Sequence, residues 1–156
     1  MSKLKKLSII FLCALLFVSC PVTAFAQENT TTDTEIEYLE DGSYLVTEFT
    51  VSETLTRAAA KAGTKSITYY SSKDVAQWYF EVSATFTYTG SSVNCTKADV
   101  DYKIYDNQWK IVSTSCKKSG GMATGTIKIK YTVMGIPVNT IEKSLVLTCS
   151  RDGNII

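Results

Sequence analysis

The 156-residue chain carries 16 basic and 15 acidic side chains and no histidine at all. That absence excludes Ser-His-Asp and Cys-His nucleophile pairs, histidine-ligated zinc and histidine-based acid–base catalysis. The near balance of charge leaves no surplus of Lys and Arg to neutralise phosphates, so nucleic acid is not an expected partner.

Met1 to Lys6 holds three lysines and no acid, Leu7 to Ser19 is almost wholly apolar, and Ala24-Phe25-Ala26 precedes Gln27. A charged start, a short apolar run and an A-x-A site predict a signal peptide over residues 1–26. The run is well short of the ~20 residues that a spanning helix needs. A secreted, soluble chain beginning near Gln27 is therefore expected. The rival is lipid anchoring at Cys20, because Ser19 is a small residue before a cysteine; Phe17 and Pro21 fit that pattern poorly. Taking the leader's three lysines from the 16 basic residues leaves 13 against 15 acids, a net charge of −2. That balance gives no polybasic grip on an anionic membrane surface.

After a polar stretch from Gln27 to Thr34, period-2 alternation dominates. Asp41-Gly42 lies between Glu35–Leu39 and Tyr44–Val51, a strong signal for a two-residue hairpin, since both residues tolerate positive φ. Thr54 to Gly63 breaks the alternation with Arg57-Ala58-Ala59-Ala60, and reads as a linker in preference to a short helix. It would separate a flexible N-terminus, hairpin and linker (27–64) from a main domain (65–156). Trp78, Phe80, Val82, Ala84, Phe86 and Tyr88 then share one face, opposite Tyr79, Glu81, Ser83, Thr85, Thr87 and Thr89. No helix gives such a pattern, so this is a strand with one buried face.

The same alternation recurs at Ala98, Val100, Tyr102 and Ile104, at Ile127, Ile129, Tyr131 and Val133, and at Leu145, Leu147 and Cys149. Ser71–Asp74, Gly90-Ser91-Ser92, Asp106-Asn107-Gln108, Gly120-Gly121 and Gly135-Ile136-Pro137 supply the turns. About eight strands with short connections predict an all-β, antiparallel β-sandwich of the immunoglobulin-like kind.

The stretch from Tyr38 onward resembles a family of small secreted proteins of Gram-positive, Clostridia-like bacteria that carry a domain of unknown function. The likeness rests on Leu39-Glu40-Asp41-Gly42-Ser43-Tyr44, Lys65-Ser66-Ile67-Thr68-Tyr69-Tyr70 and Phe86-Thr87-Tyr88-Thr89-Gly90. It continues through Cys95-Thr96, Trp109-Lys110-Ile111-Val112, Gly135-Ile136-Pro137-Val138 and Leu147-Thr148-Cys149. The resemblance implies export and an all-β fold, and carries no chemistry.

The aromatic central third offers the first candidate site. Trp78, Phe80, Tyr102 and Trp109 share the inward phase and are expected in the core. Tyr79 and Tyr105 turn outward. They are the candidates for a ligand-facing surface, with cross-strand packing as the plainer explanation. Asp99 and Asp101 share an outward face near Asp106-Asn107, but their spacing matches no calcium loop, and the acids Glu35, Glu37, Glu40 and Asp41 read as solvated. No metal or cofactor is expected. Ser119-Gly120-Gly121 lacks the Lys-Ser/Thr of a phosphate loop. Among Cys95, Cys116 and Cys149, the first and last continue inward series, and their surroundings match the resembled family better. A Cys95–Cys149 disulfide is therefore expected, against the alternative of three free thiols.

These features point to a non-enzymatic binding protein that meets an extracellular ligand: a glycan, an envelope component or another protein. Two alternatives stand beside it. One is a glycoside-active enzyme using a carboxylate pair, and the other is an assembly protein that pairs through strand edges.

Overall fold

The computed structural model describes residues 29–53 and 59–156. The signal peptide, Cys20 and most of the Thr54–Gly63 segment lie outside them. Eight strands follow one another: β1 (Asn29–Tyr38), β2 (Tyr44–Glu53), β3 (Ala60–Tyr70), β4 (Ala76–Tyr88), β5 (Val93–Ile104), β6 (Trp109–Ser119), β7 (Met122–Val133) and β8 (Ile136–Thr148). They form a five-stranded sheet, β1-β2-β3-β4-β5, and a three-stranded sheet, β6-β7-β8, with every pair antiparallel. The all-β sandwich expected from the alternation is present. Its strand order is sequential in both sheets, so the connections form meanders and lack the Greek key of an immunoglobulin domain.

β4 is the centre of the fold because its inward residues Trp78, Phe80, Val82, Ala84 and Phe86 are all buried. Against them pack Ala123, Ile127 and Ile129 of β7 and Leu145 and Leu147 of β8. Each large apolar side chain buried in this way contributes about 1.5–3 kcal/mol. Among the described residues, every buried one lies between Ser43 and Ile155.

Three sequence expectations need correction. The boundary at 64/65 falls inside β3, which begins at Ala60 and pairs with β2 from Lys61↔Glu53 to Tyr70↔Tyr44. Lys61-Ala62-Gly63 is thus strand, and the N-terminal hairpin belongs to the main sheet. Backbone pairing and the close fit of Gly63 to Ile155 outweigh the weak local propensity of this segment. The β1–β2 connection spans Leu39–Ser43, closed by Leu39 N–H donating to Ser43 O at 2.8 Å, and is longer than a two-residue turn. Finally, Tyr102 keeps the inward phase opposite Phe80 but is 46% exposed, because β5 is a sheet edge where the smaller sheet gives little cover.

The smaller sheet lies opposite β3, β4 and β5, so β1 and β2 extend past it. Part of that overhang is covered by the C-terminal segment, where Cys149 bridges Ile155 and Ile155 packs at Gly63. Because strands alternate in direction, the connections 39–43, 71–75, 105–108 and 134–135 all gather at one end of the sandwich.

Candidate functional site

Two aromatic groups meet at the turn-bearing end, on opposite faces of the large sheet. On the outer face, Tyr38 registers with Tyr44 and Tyr44 with Tyr70, giving a cross-strand row over β1, β2 and β3. Ring centroids are 5.6 Å apart for Tyr38–Tyr44 and 4.9 Å for Tyr44–Tyr70, the second pair stacked at 8°. Burial and the neighbouring Asp74 raise the pKa of Tyr44, so its phenol stays protonated at ordinary pH. Tyr38, at the sheet edge, is the most exposed of the three.

On the inner face, Tyr69 stacks on Trp78 at 5.7 Å and meets the edge of Trp109 at 5.5 Å, and Trp109 lies 5.0 Å from Tyr131. Neighbouring residues on a strand face opposite sides, which is why Tyr69 and Tyr70 serve different groups. A bulge opposite Tyr69/Tyr70 leaves Gln77 without a register partner. Its carbonyl accepts from Tyr105 N–H at 2.9 Å and Asp106 N–H at 3.1 Å, which ties the start of β4 to the 105–108 turn.

Above this inner cluster opens a recess of about 290 Å³, lined by Asp41, Tyr69, Ser71, Gln77, Trp109, Tyr131 and Asn139. Its walls are rigidly held. Tyr131 donates its hydroxyl to Gln108 Oε1 at 2.8 Å, and Thr132 bonds the Gln108 carbonyl through both N–H and hydroxyl, each at 2.8 Å. Asp41 accepts hydrogen bonds from the Ser43 hydroxyl and from the Ser43 N–H, the latter at 3.0 Å. The Ser43 hydroxyl is the main cause of its lowered pKa, so Asp41 stays an anionic acceptor. The recess therefore combines ring faces with a carboxylate, two amides and a hydroxyl.

The sequence candidates fall beside this recess and outside it. Tyr79 occupies the outer face, as its phase required, but is half-buried and donates its hydroxyl to the Glu81 carboxylate. Burial and that bond raise its pKa well above the ordinary phenol value. Tyr105 is half exposed, and the Lys103 ammonium sits 5.0 Å from its ring centre. Lys103 also registers opposite Tyr79. The two tyrosines thus share a neighbour, and both have an internal partner.

Trp109, placed in the core by phase, is buried yet contributes a recess wall. Asp41, Tyr131 and Asn139 were missed as a group, because only the approach of the two sheets brings them together. The Tyr38/Tyr44 pair was hidden as well: a two-residue Asp41-Gly42 turn would set Tyr44 opposite Leu39, and only the longer Leu39–Ser43 connection brings the two tyrosines into register.

Asp99 pairs with Lys97 at 3.6 Å on an open surface. Among the described residues no group of three or more Cys, Asp or Glu side chains is placed to hold a metal, and no helix is long and apolar enough to cross a membrane. Cys95 and Cys149, expected to be bridged, stand as free, buried thiols at the opposite end, while Cys116 is exposed. Their sulfhydryls donate to Lys97 O at 3.2 Å and Ser150 O at 3.4 Å.

Comparison with family models, curated proteins and solved structures finds no match to this chain. What the fold defines is a two-sheet, all-β meander sandwich with a polar–aromatic recess at its turn-bearing end.

Proposed function

We propose that the protein is a secreted, non-enzymatic binding protein that takes a glycan at its turn-bearing end. The observation that carries this reading is the recess walled by Tyr69, Trp109 and Tyr131 and equipped with Asp41, Ser71, Gln77 and Asn139. A sugar ring presents an apolar C–H face and a girdle of hydroxyls. It needs a flat aromatic wall together with a few fixed acceptors and donors, the mixture found in small-molecule sites. Binding is favoured over glycoside hydrolysis because the lining has one carboxylate, held anionic, whereas hydrolysis uses two with one kept protonated.

The test is an unbiased glycan and protein binding screen with residues 27–156, followed by tryptophan fluorescence titration of each hit. Binding should change the Trp109 emission. Tyr131→Ala or Asn139→Ala should each weaken it about ten-fold, the worth of one good contact. Hits insensitive to both substitutions would remove the recess from the function, and a protein hit in place of sugars would change the ligand class.

A second reading, assembly through a strand edge, is favoured by β1. Its register with β2 runs without a bulge from Asn29 to Tyr38, and it contains neither Lys nor Pro. Such an edge is guarded only by the acids Asp33, Glu35 and Glu37, which suits a partner strand carrying Lys or Arg. Sedimentation showing larger species that Thr32→Pro abolishes would favour this reading over the first.

A further inference from the structure

The β7–β8 hairpin ends in an apolar run that no other part of the described residues covers. Val133, Met134, Ile136 and Val138 are all exposed: Met134 at 98%, Ile136 at 67% and Val138 at 58%. Soluble surfaces scatter single apolar residues; a consecutive exposed run of this kind marks an interaction site.

Its backbone makes the choice of residues more telling. The connection is the dipeptide Met134-Gly135, with φ of 50° and 81°. Two-residue turns with both φ values positive favour Asn, Asp or Gly at the first position. A methionine there accepts local backbone strain, projects fully into solvent and gains no packing in return. Val138 is the residue left over in the bulge where Tyr131 pairs with Asn139 and Thr132 with Pro137, so the run also escapes the alternation of β8.

Charge identifies what covers the tip. Lys110 of β6 and Lys130 of β7 register directly opposite each other, and among the described residues neither has an ion-pair partner. Like charges in that relation are unfavourable unless an anion is supplied from outside. Lys128 shares the Lys130 face, with Glu142 at 3.5 Å. Although residues 27–156 have a net negative charge, β6, β7 and β8 carry six lysines against one acid, Glu142. Lys130 stands four residues from Met134, about 13 Å along a strand. If the tip enters an interface by about 5–10 Å, the ammonium groups arrive at the level of the headgroups.

We infer that the β7–β8 hairpin docks the protein on an anionic phospholipid surface, with Met134, Ile136 and Val138 entering the interface and Lys110 and Lys130 meeting the phosphates. A protruding tip suits a deformable bilayer better than a rigid partner, which would need a matching pocket. The inference is independent of the glycan reading, since the recess is lined on the inner face and the lysines stand on the outer one.

Residues 27–156 should co-sediment with vesicles of equimolar phosphatidylglycerol and phosphatidylcholine, and only weakly with phosphatidylcholine alone. The double variant Met134→Asp, Ile136→Asp should stay in the supernatant. Aspartate tolerates the left-handed conformation at 134, so an unchanged unfolding midpoint would exclude misfolding as the cause. Lys110→Gln and Lys130→Gln should each weaken binding about five-fold and flatten its salt dependence. Tyr131→Ala should leave vesicle binding intact, which separates failure here from failure of the glycan site. Absence of wild-type sedimentation, equal sedimentation of the aspartate variant, or a vesicle-free dimer that the aspartates abolish would each overturn the inference.

Discussion

Gly125 of β7 lies directly beneath Val82 of β4, so close that a Cβ on the glycine would overlap Val82 Cγ2 and stand 2.7 Å from Val100 Cγ1. The two sheets are in close contact here, and only a hydrogen fits where other inward residues carry a side chain. Gly125 is the inward residue between Ala123 and Ile127, so its smallness makes room for the buried Val82 and Phe80 opposite.

Gly125→Ala should therefore destabilise the protein by about 1–3 kcal/mol, the usual range for overpacking a close-packed interior. Adding Val82→Ala should recover part of the loss, because the shortened residue vacates the space the new methyl needs. Denaturant unfolding of the two single variants and the double variant measures the coupling. Strictly additive losses would mean that the sheets yield elsewhere.

The phase of β4 gives a second test. Phe86 is fully buried and registers with Cys95, whereas Thr87 faces outward between Ala60 and Asn94. Phe86→Ala should cost roughly 3–5 kcal/mol as a core truncation. Thr87→Ala should cost under about 1 kcal/mol. Equal losses in urea would contradict the register.

Much of this architecture was legible because long stretches of β4, β7 and β8 alternate: Trp78 to Phe86, Ile127 to Ile129 and Leu145 to Cys149 are buried as their period required. The failures share a physical cause, namely that alternation reports phase and not cover. Tyr102 has the inward phase and too little above it, while Lys61-Ala62-Gly63 is strand because β2 and β4 flank it, not because its residues favour one. The recess was illegible for a further reason. Asp41, Gln77, Trp109 and Asn139 come from four separate connections and strands, and Gln77 points there only through a bulge. Tyr79 and Tyr105 were rightly placed outside, but single-strand phase could not show that Glu81 and Lys103 engage them.

Tyr79 should be among the last tyrosines to ionise in an alkaline titration. Its raised pKa comes first from burial and then from the bond to Glu81, so the folded state holds the phenolic proton more tightly than the unfolded chain does. Stability from this group is complete below the ordinary phenol pKa near 10 and declines as pH rises above it. Tyr79→Phe should flatten the loss of stability above about pH 10. An unaltered alkaline profile in the variant would place the titrating group elsewhere.

The cysteines supply the final prediction. Cys95 and Cys149 project from different sheets toward the same Gly120-Gly121 turn: Cys95 N–H donates to Gly120 O at 2.6 Å and Cys149 N–H to Gly121 O at 2.8 Å. Burial is the main cause of the raised pKa of all three thiols. In the reduced protein they are thus protonated near neutral pH, and alkylation should accelerate only as pH rises past the ordinary thiol range. Iodoacetamide should modify exposed Cys116 first and reach Cys95 and Cys149 only on unfolding. In the oxidising surroundings proposed for a secreted chain, a thiol–disulfide exchange partner should link Cys95 to Cys149 and leave Cys116 free. The bond would close a separation of 54 positions across the two sheets. Loop entropy sets its stabilisation at about 4 kcal/mol before any strain. Peptide mapping without reductant decides the pairing. A Cys95–Cys116 or Cys116–Cys149 linkage, or native alkylation of all three thiols after oxidation, would sink the assignment.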